Sequence, residues 1–438
     1  MALGTVPAVG DASTLAAPAG STAARLPFYA LMFFTFVVLV APQGLFPALA
    51  PLHLALVAAT VAAATHVANR LSRAAPLTVT EPEIRLALLL FGLGVLSVPT
   101  SYWIEGSVQT LALFGKSLIV FLLLANILVT AARLRAMLWL LTLGSTVPAL
   151  SVVKNYLEGN LLLGRVRGYL STLTSNPNDL ALTLNIVIPL AVGLALASRR
   201  RGHRVALAAA IALGAAGIVT TFSRAGFIFL TTTLFLYLRR LKKGRSGIVL
   251  LLLLLLVLML NVDGFIGRLE TIVDVDSEGS AHARWQTMKS AFGLMLEYPL
   301  FGVGIGQNVL ALNEVGAPRW SLVHNVYLQI AVDLGIPALL VYVLLFYRAF
   351  RSVREARRAW STRGVDLYYL AQGLEISMLG FAVAAMFYPI AYHFFFYYLL
   401  GLAVVVKGLC RQEILANAGD ERAAGEGRAA IDDQGLRR

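Results

Sequence analysis

The sequence predicts an all-α polytopic membrane protein of about 12 transmembrane helices, with one large helical loop between spans nine and ten. Three observations carry that reading. Of 438 residues, 58% are hydrophobic and 13% are charged, far from the balance of a soluble domain. The apolar residues fall in runs near the roughly 20 needed to cross a hydrocarbon core about 30 Å thick. Basic residues cluster at every second connection, the pattern that orients helices in a bilayer.

The spans read as 27–46, 51–68, 84–101, 108–130, 136–153, 179–198, 205–222, 226–239, 247–263, 326–347, 368–388 and 390–407. The basic connections are "NRLSR" at 69–73, "ARLR" at 132–135, "RRRGHR" at 199–204, "RRLKKGR" at 239–245 and "RAFRSVREARR" at 348–358. The positive-inside rule then puts both termini in the cytoplasm. The chain divides into a disordered lead-in (1–26), spans one to nine (27–263) with an outer loop at 154–178, a loop domain at 264–325, spans ten to twelve (326–407) and a polar tail (408–438) expected to be disordered. The first 25 residues lack the charged, apolar and cleavage regions of a signal peptide.

Several function classes drop out. The net charge of +13 sits in the topology clusters, which argues against nucleic acid. A lone cysteine, Cys410, leaves no intrachain disulfide and no cysteine-rich metal site. No Walker loop, HExxH or G-x-S-x-G elbow occurs, and "GVGIGQ" at 302–307 follows no strand. The acidic run "LETIVDVDSEGS", with Glu270, Asp274, Asp276 and Glu278, reads as a solvated loop ahead of a cation site. Lys116, Glu375 and His393 fall inside spans, where charges face a cavity or a partner. They are too scattered to line a transport pathway.

The outward side holds the candidate chemistry. The 264–325 loop is long and patterned, with Trp285, Met288, Phe292 and Met295 at helical spacing, and such loops carry function. His324 closes it. A neutral imidazole there can take a proton; the plainer reading is an interfacial ring. Arginine is the wrong residue to scatter outside, yet Arg165, Arg167, Arg224 and Arg284 lie there, with Arg268 and Arg319. A planar guanidinium binds phosphate oxygens through two hydrogen bonds, and snorkelling to lipid phosphate is the alternative. In "SNPNDLAL", Asn178 or Asp179 caps span six, and Asn176 and Asn178 suit sugar hydroxyls. Asn325 and Tyr327 follow His324.

Taken together, "FSRAGFIFL", "ARWQTMKSAFGLMLEYPLFGVGIGQN" and "HNVYLQIAVDLGIPALL", with "GYLSTLTSNPNDLALTLNIVIPL" upstream, resemble the O-antigen ligase and O-antigen polymerase superfamily over about residues 165–345. The resemblance implies a GT-C-like glycosyltransferase of the bacterial inner membrane, multi-pass, acting at the periplasmic face. Its donor would be a glycan on undecaprenyl diphosphate. Its acceptor would be lipid A–core for a ligase, a second lipid-linked glycan for a polymerase, or a protein hydroxyl. Ligases of this family need no metal ion and no cofactor. Carried onto this chain, Arg224, Arg284 and His324 become the catalytic residues. Arg167, Arg165, Asn178, Asn325 and Tyr327 become substrate-binding candidates, with Arg167 the looser match. The single dominant loop favours ligase, and a lipid-linked glycan transporter is the reading from a different class.

Overall fold

In the computed structural model the chain is described over residues 25–162, 165–169, 171, 173–240, 279–317, 320–361 and 364–435. Among these residues nine helical segments are long and apolar enough to cross a membrane. The protein is an all-α polytopic membrane protein. Span nine (247–263), the acidic run, Arg268, Arg319 and most of the expected lead-in lie outside the described residues.

The helices are α1 (Arg25–Val40), α2 (Pro42–Leu45), α3 (Leu54–Leu71), α4 (Pro82–Leu96), α5 (Ile104–Ile127), α6 (Ala131–Gly144) and α7 (Thr146–Leu157). A minimal antiparallel hairpin follows, β1 (Leu161–Leu162) with β2 (Arg165–Val166), in which Leu162 stands opposite Arg165. Then come α8 (Pro177–Ala197), α9 (Arg201–Thr220), α10 (Arg224–Arg240), α11 (Gly279–Glu297), α12 (Asn308–Glu314), α13 (Val326–Leu334), α14 (Ile336–Ala359), α15 (Val365–Ala384) and α16 (Phe394–Gly435).

The centre of the bundle is the α8–α15 pair. Leu180, Leu184, Asn185 and Leu190 of α8 are sealed from solvent. The two backbones touch where Gly193 meets Gly373. A Cβ at 193 would lie 2.5 Å from the Tyr369 carbonyl oxygen, and one at 373 would lie 2.5 Å from that of Pro189. Helices in lipid gain little from apolar burial against one another, so close approach of small residues supplies the packing. Polar side chains tie the same core to α10. The Asn185 amide donates to the Gly226 carbonyl at 2.9 Å, and the Tyr237 hydroxyl donates to the Pro189 carbonyl at 2.7 Å.

Three expectations need correction. Span ten breaks at Gly335, which has φ of 87°. The Pro299–Leu300 turn packs there: the Ile336 amide donates to the Pro299 carbonyl at 2.8 Å, and a Cβ at 335 would lie 2.4 Å from the Leu300 carbonyl oxygen. Spans eleven and twelve do not abut. α15 ends at Ala384 and α16 begins at Phe394, so residues 385–393 form an irregular connection around Pro389, which has no amide hydrogen to continue a helix. The tail expected to be disordered instead continues α16 to Gly435; its many Ala, Glu and Arg residues are strong helix formers.

The buried charges are settled by partners. Glu375 of α15 receives both terminal nitrogens of Arg240, at 2.9 and 3.0 Å, and the Nε of Arg357. Glu83 of α4 holds the Lys407 ammonium of α16 at 2.8 Å. Lys116 is exposed on α5, where a long stem lets the ammonium reach toward water.

The glycines of "GVGIGQ" serve backbone approach. Gly302, Gly304 and Gly306 all have positive φ, and a Cβ at 304 would lie 2.2 Å from that of Ser101. Gly304→Ala is therefore expected to destabilise the fold by about 1–3 kcal/mol. Thermal unfolding should show it, against Gly293→Ala, where a Cβ meets nothing within 4 Å.

Candidate functional site

At the end of the bundle where α8 and α10 begin, a pocket of about 270 Å³ opens. Each side chain in it arrives by an identifiable local rule.

α8 starts with Pro177 at its first position, which suits a residue whose missing amide would be unsatisfied anyway. The cap is then the preceding residue. The Asn176 side-chain oxygen accepts from the Asn178 amide at 2.9 Å. This corrects the expectation that Asn178 or Asp179 caps the helix, and it leaves both in the pocket wall. Asn178 is tied down in turn. Its side-chain oxygen accepts from the Ser223 hydroxyl at 2.9 Å, and its carbonyl accepts from Tyr388 at 3.2 Å.

Arg224 opens α10. Phe222 ahead of it sits in the left-handed region, with φ of 54° and its ring buried, so the turn out of α9 is tight. Ser223 then caps α10 by accepting from the Gly226 amide at 3.2 Å. One serine thus fixes the start of α10 and grips α8 beside it. Gly226 matters for the same reason, since a Cβ there would lie 2.7 Å from that of Ala181.

Arg165 reaches the pocket from β2, whose neighbour Val166 is fully buried. Arg284 comes from α11, anchored by Ala291 and Leu294 in a small core with Val303, Leu312, Val323 and Val332. His324 stands between buried Val323 and Val326. The Val326 amide donates to the Ala385 carbonyl at 2.7 Å. Behind it, the fully buried Asp333 carboxylate accepts from the Asn308 amide and side chain and from Tyr392, each at 3.0 Å. That cluster joins α13 to the glycine turn and to the 385–393 connection.

The pocket therefore brings together Arg165, Arg224, Arg284, His324 and Asn178 of the residues expected from sequence. Arg167, Asn325 and Tyr327 lie outside its lining. The Arg167 carbonyl accepts from the Asn155 side chain at 2.7 Å. Asn325 caps α13 by accepting from the Leu328 amide at 3.1 Å, and the Tyr327 hydroxyl donates to the Ala382 carbonyl at 2.9 Å. Sequence reasoning did not place Asp179, Tyr388 and His393 in the site, and all three line it. The signal for the last two was Pro389, an imino acid set among aromatic residues at the junction of the expected spans eleven and twelve.

Among the described residues the lining carries three guanidiniums and one carboxylate. Burial, and then the Arg284 guanidinium beside it, push the His324 imidazole down to about 4. The ring is neutral at pH 7, able to accept a hydrogen bond. Among the described residues no three His, Cys, Asp or Glu side chains cluster to hold a metal ion.

A helical membrane scaffold with an arginine-lined pocket at one end defines the class, and comparison with known families supplies the rest. Residues 207–343 match the family model described as O-antigen ligase. Over that stretch the chain is similar to the O-antigen ligases, a family of glycosyltransferase-type enzymes. The matched stretch includes Arg224, Arg284 and His324 and stops short of Arg165 and Asn178. No curated protein matches the chain. Among solved structures, a chain from "Structural coordination of polymerization and crosslinking by a peptidoglycan synthase complex" is similar at 18% identity, over 75% of this chain and 96% of that one, with a TM-score of 0.44.

Proposed function

We propose that this protein is a metal-independent, inverting glycosyltransferase of the inner membrane that moves a glycan from undecaprenyl diphosphate to a sugar hydroxyl of lipid A–core at the periplasmic face. The observation that carries the reading is the convergence of Arg165, Arg224 and Arg284 with a neutral His324 in one pocket. Glycosyl transfer from a diphosphate needs positive charge where the leaving group becomes more negative. Arg224 and Arg284 clamp the diphosphate, and the fork geometry of each matches its oxygens. Arg165 and Asn178 hold the donor from the α8 side. His324 meets the acceptor hydroxyl, as a base or as a hydrogen-bond acceptor that orients it. Attack opposite the leaving group inverts the anomeric centre.

Orientation follows from charge. The Arg199–Arg204 cluster begins α9, and Arg239 and Arg240 end α10, both remote from the pocket along those helices. The positive-inside rule assigns that end to the cytoplasm and the pocket to the periplasm.

The test supplies purified protein with an undecaprenyl-diphosphate glycan, with and without lipid A–core. Product only with lipid A–core is the expected result. A ladder of longer lipid-linked glycans without it would instead mean polymerase, and modification only of an added protein would mean a protein acceptor.

A second expectation concerns pH. His324 should titrate near pH 4 and not near its ordinary 6.5. Arg284→Gln removes one of the two causes that lower it, so the midpoint should rise. Histidine-selective nitrogen NMR reads this directly, with His324→Gln assigning the signal.

A further inference from the structure

The pocket contains one feature that anion binding does not require. Asp179 lines it beside three arginines. A carboxylate there weakens the attraction for a diphosphate unless it has its own task. It is not the helix cap, because Asn176 fills that position. Nor is it held as Asn178 is, by Ser223 and Tyr388. Among the described residues the Asp179 carboxylate makes no hydrogen bond or ion pair, and it is open to the cavity. Its backbone, by contrast, is fixed: the Asp179 carbonyl accepts from the Thr183 hydroxyl at 2.8 Å. A rigidly mounted acid facing an open polar pocket suits a ligand that donates a hydrogen bond, and a sugar hydroxyl does.

Among the described residues the charged and titratable groups around it are Arg165 from β2, Arg224 from α10, Arg284 from α11, His324 ahead of α13, and Tyr388 and His393 from the 385–393 connection. Of these, His324 bears on proton transfer. His324 is held down to about 4 by burial and by Arg284, so it takes up a proton reluctantly. Burial favours the uncharged form of either group: a carboxylate that accepts a proton loses its charge, whereas an imidazole acquires one.

We propose that Asp179 is the proton acceptor for the attacking hydroxyl, with His324 orienting that hydroxyl; this rests on the transferase reading above. The acceptor O–H bond breaks as its oxygen bonds to the anomeric carbon. The proton goes to an Asp179 oxygen. The carbon–oxygen bond to the diphosphate breaks, and its electron pair leaves with the diphosphate. Asp179 then yields the proton to water when the products depart.

The experiment uses the full-length protein in nanodiscs with a polyprenyl-diphosphate glycan and acceptor, and geranyl diphosphate as a binding probe. Asp179→Asn should lower kcat by about 100-fold or more, the usual worth of a positioned acid or base. It should leave geranyl diphosphate binding intact or tighter, because a negative charge is gone from beside the arginines. Asp179→Glu should keep part of the rate, and formate should restore part of it to Asp179→Ala. His324→Gln should raise KM for the acceptor more than it lowers kcat. Asp179→Asn within about threefold of the wild-type kcat overturns the assignment while leaving the transferase reading standing. A kcat loss accompanied by lost probe binding also overturns it, in favour of a structural role. Failure of the wild-type protein to transfer with any acceptor overturns the transferase reading and this assignment together.

Discussion

Arg224→Lys and Arg284→Lys are each expected to lower kcat/KM for glycan transfer by about 10²–10³-fold, or about 3–4 kcal/mol of transition-state stabilisation, by analogy with lost oxyanion donors. Both replacements keep the positive charge. What they remove is the planar fork that holds two phosphate oxygens at once. Arg224 is the more rigidly mounted, at the start of a helix whose cap, Ser223, also grips Asn178. Arg284 projects from α11 and is exposed. The double variant should lose less than the product of the single losses, since both residues act on one leaving group. Lys289→Ala is the control. Lys289 is an exposed cation on the same helix, over the Trp285 ring and outside the pocket lining. Rates of all four variants against wild type check the expectation, and retained transfer in both lysine variants would remove the clamp from the account.

The second large effect is on stability. Glu375→Ala is expected to destabilise the protein by about 3–5 kcal/mol, because it strands two guanidiniums inside the bundle. The Arg240 and Arg357 side chains are 24% and 18% exposed, so some of the penalty is relieved by water and the lower bound is the better figure. Three helices meet at this carboxylate: α10, α14 and α15. Replacing the whole cluster, with Glu375→Leu, Arg240→Met and Arg357→Met, should recover most of the loss, since a well-packed apolar substitute often matches a buried ion pair. Thermal unfolding in one detergent compares the single and triple variants. Equal unfolding temperatures for wild type and Glu375→Ala would mean the cluster contributes nothing.

Much of this architecture is legible in the sequence because lipid makes strong demands. Apolar runs must be helices, and their basic ends alternate. What the sequence hid follows from contacts between distant segments. Gly335 looks like an ordinary residue in a long apolar run until the Pro299–Leu300 turn is packed against it. The 385–393 connection is as apolar as a helix, but Pro389 interrupts it and pairing with α13 holds it: the Ala391 amide donates to Gln329 at 3.2 Å and Tyr392 donates to Asp333 at 3.0 Å. The site was half visible. Arginines and a histidine in connections expected to face outward stand out against the topology rule, so Arg165, Arg224, Arg284 and His324 could be named. Asp179 could not, because an acid one turn into a helix looks like a cap until Asn176 is seen to do that work. Asn325 shows the converse. It sits beside His324 in sequence, but its side chain turns back to cap α13.

In the proposed mechanism, arginines in place of a metal ion stabilise the departing diphosphate. The most direct measurement is single-turnover release of undecaprenyl diphosphate from labelled donor with saturating acceptor, in excess chelator and again with magnesium restored. Equal rates are expected in both conditions, with Arg224→Lys slow in both. Release that stops in chelator and returns with magnesium would contradict it.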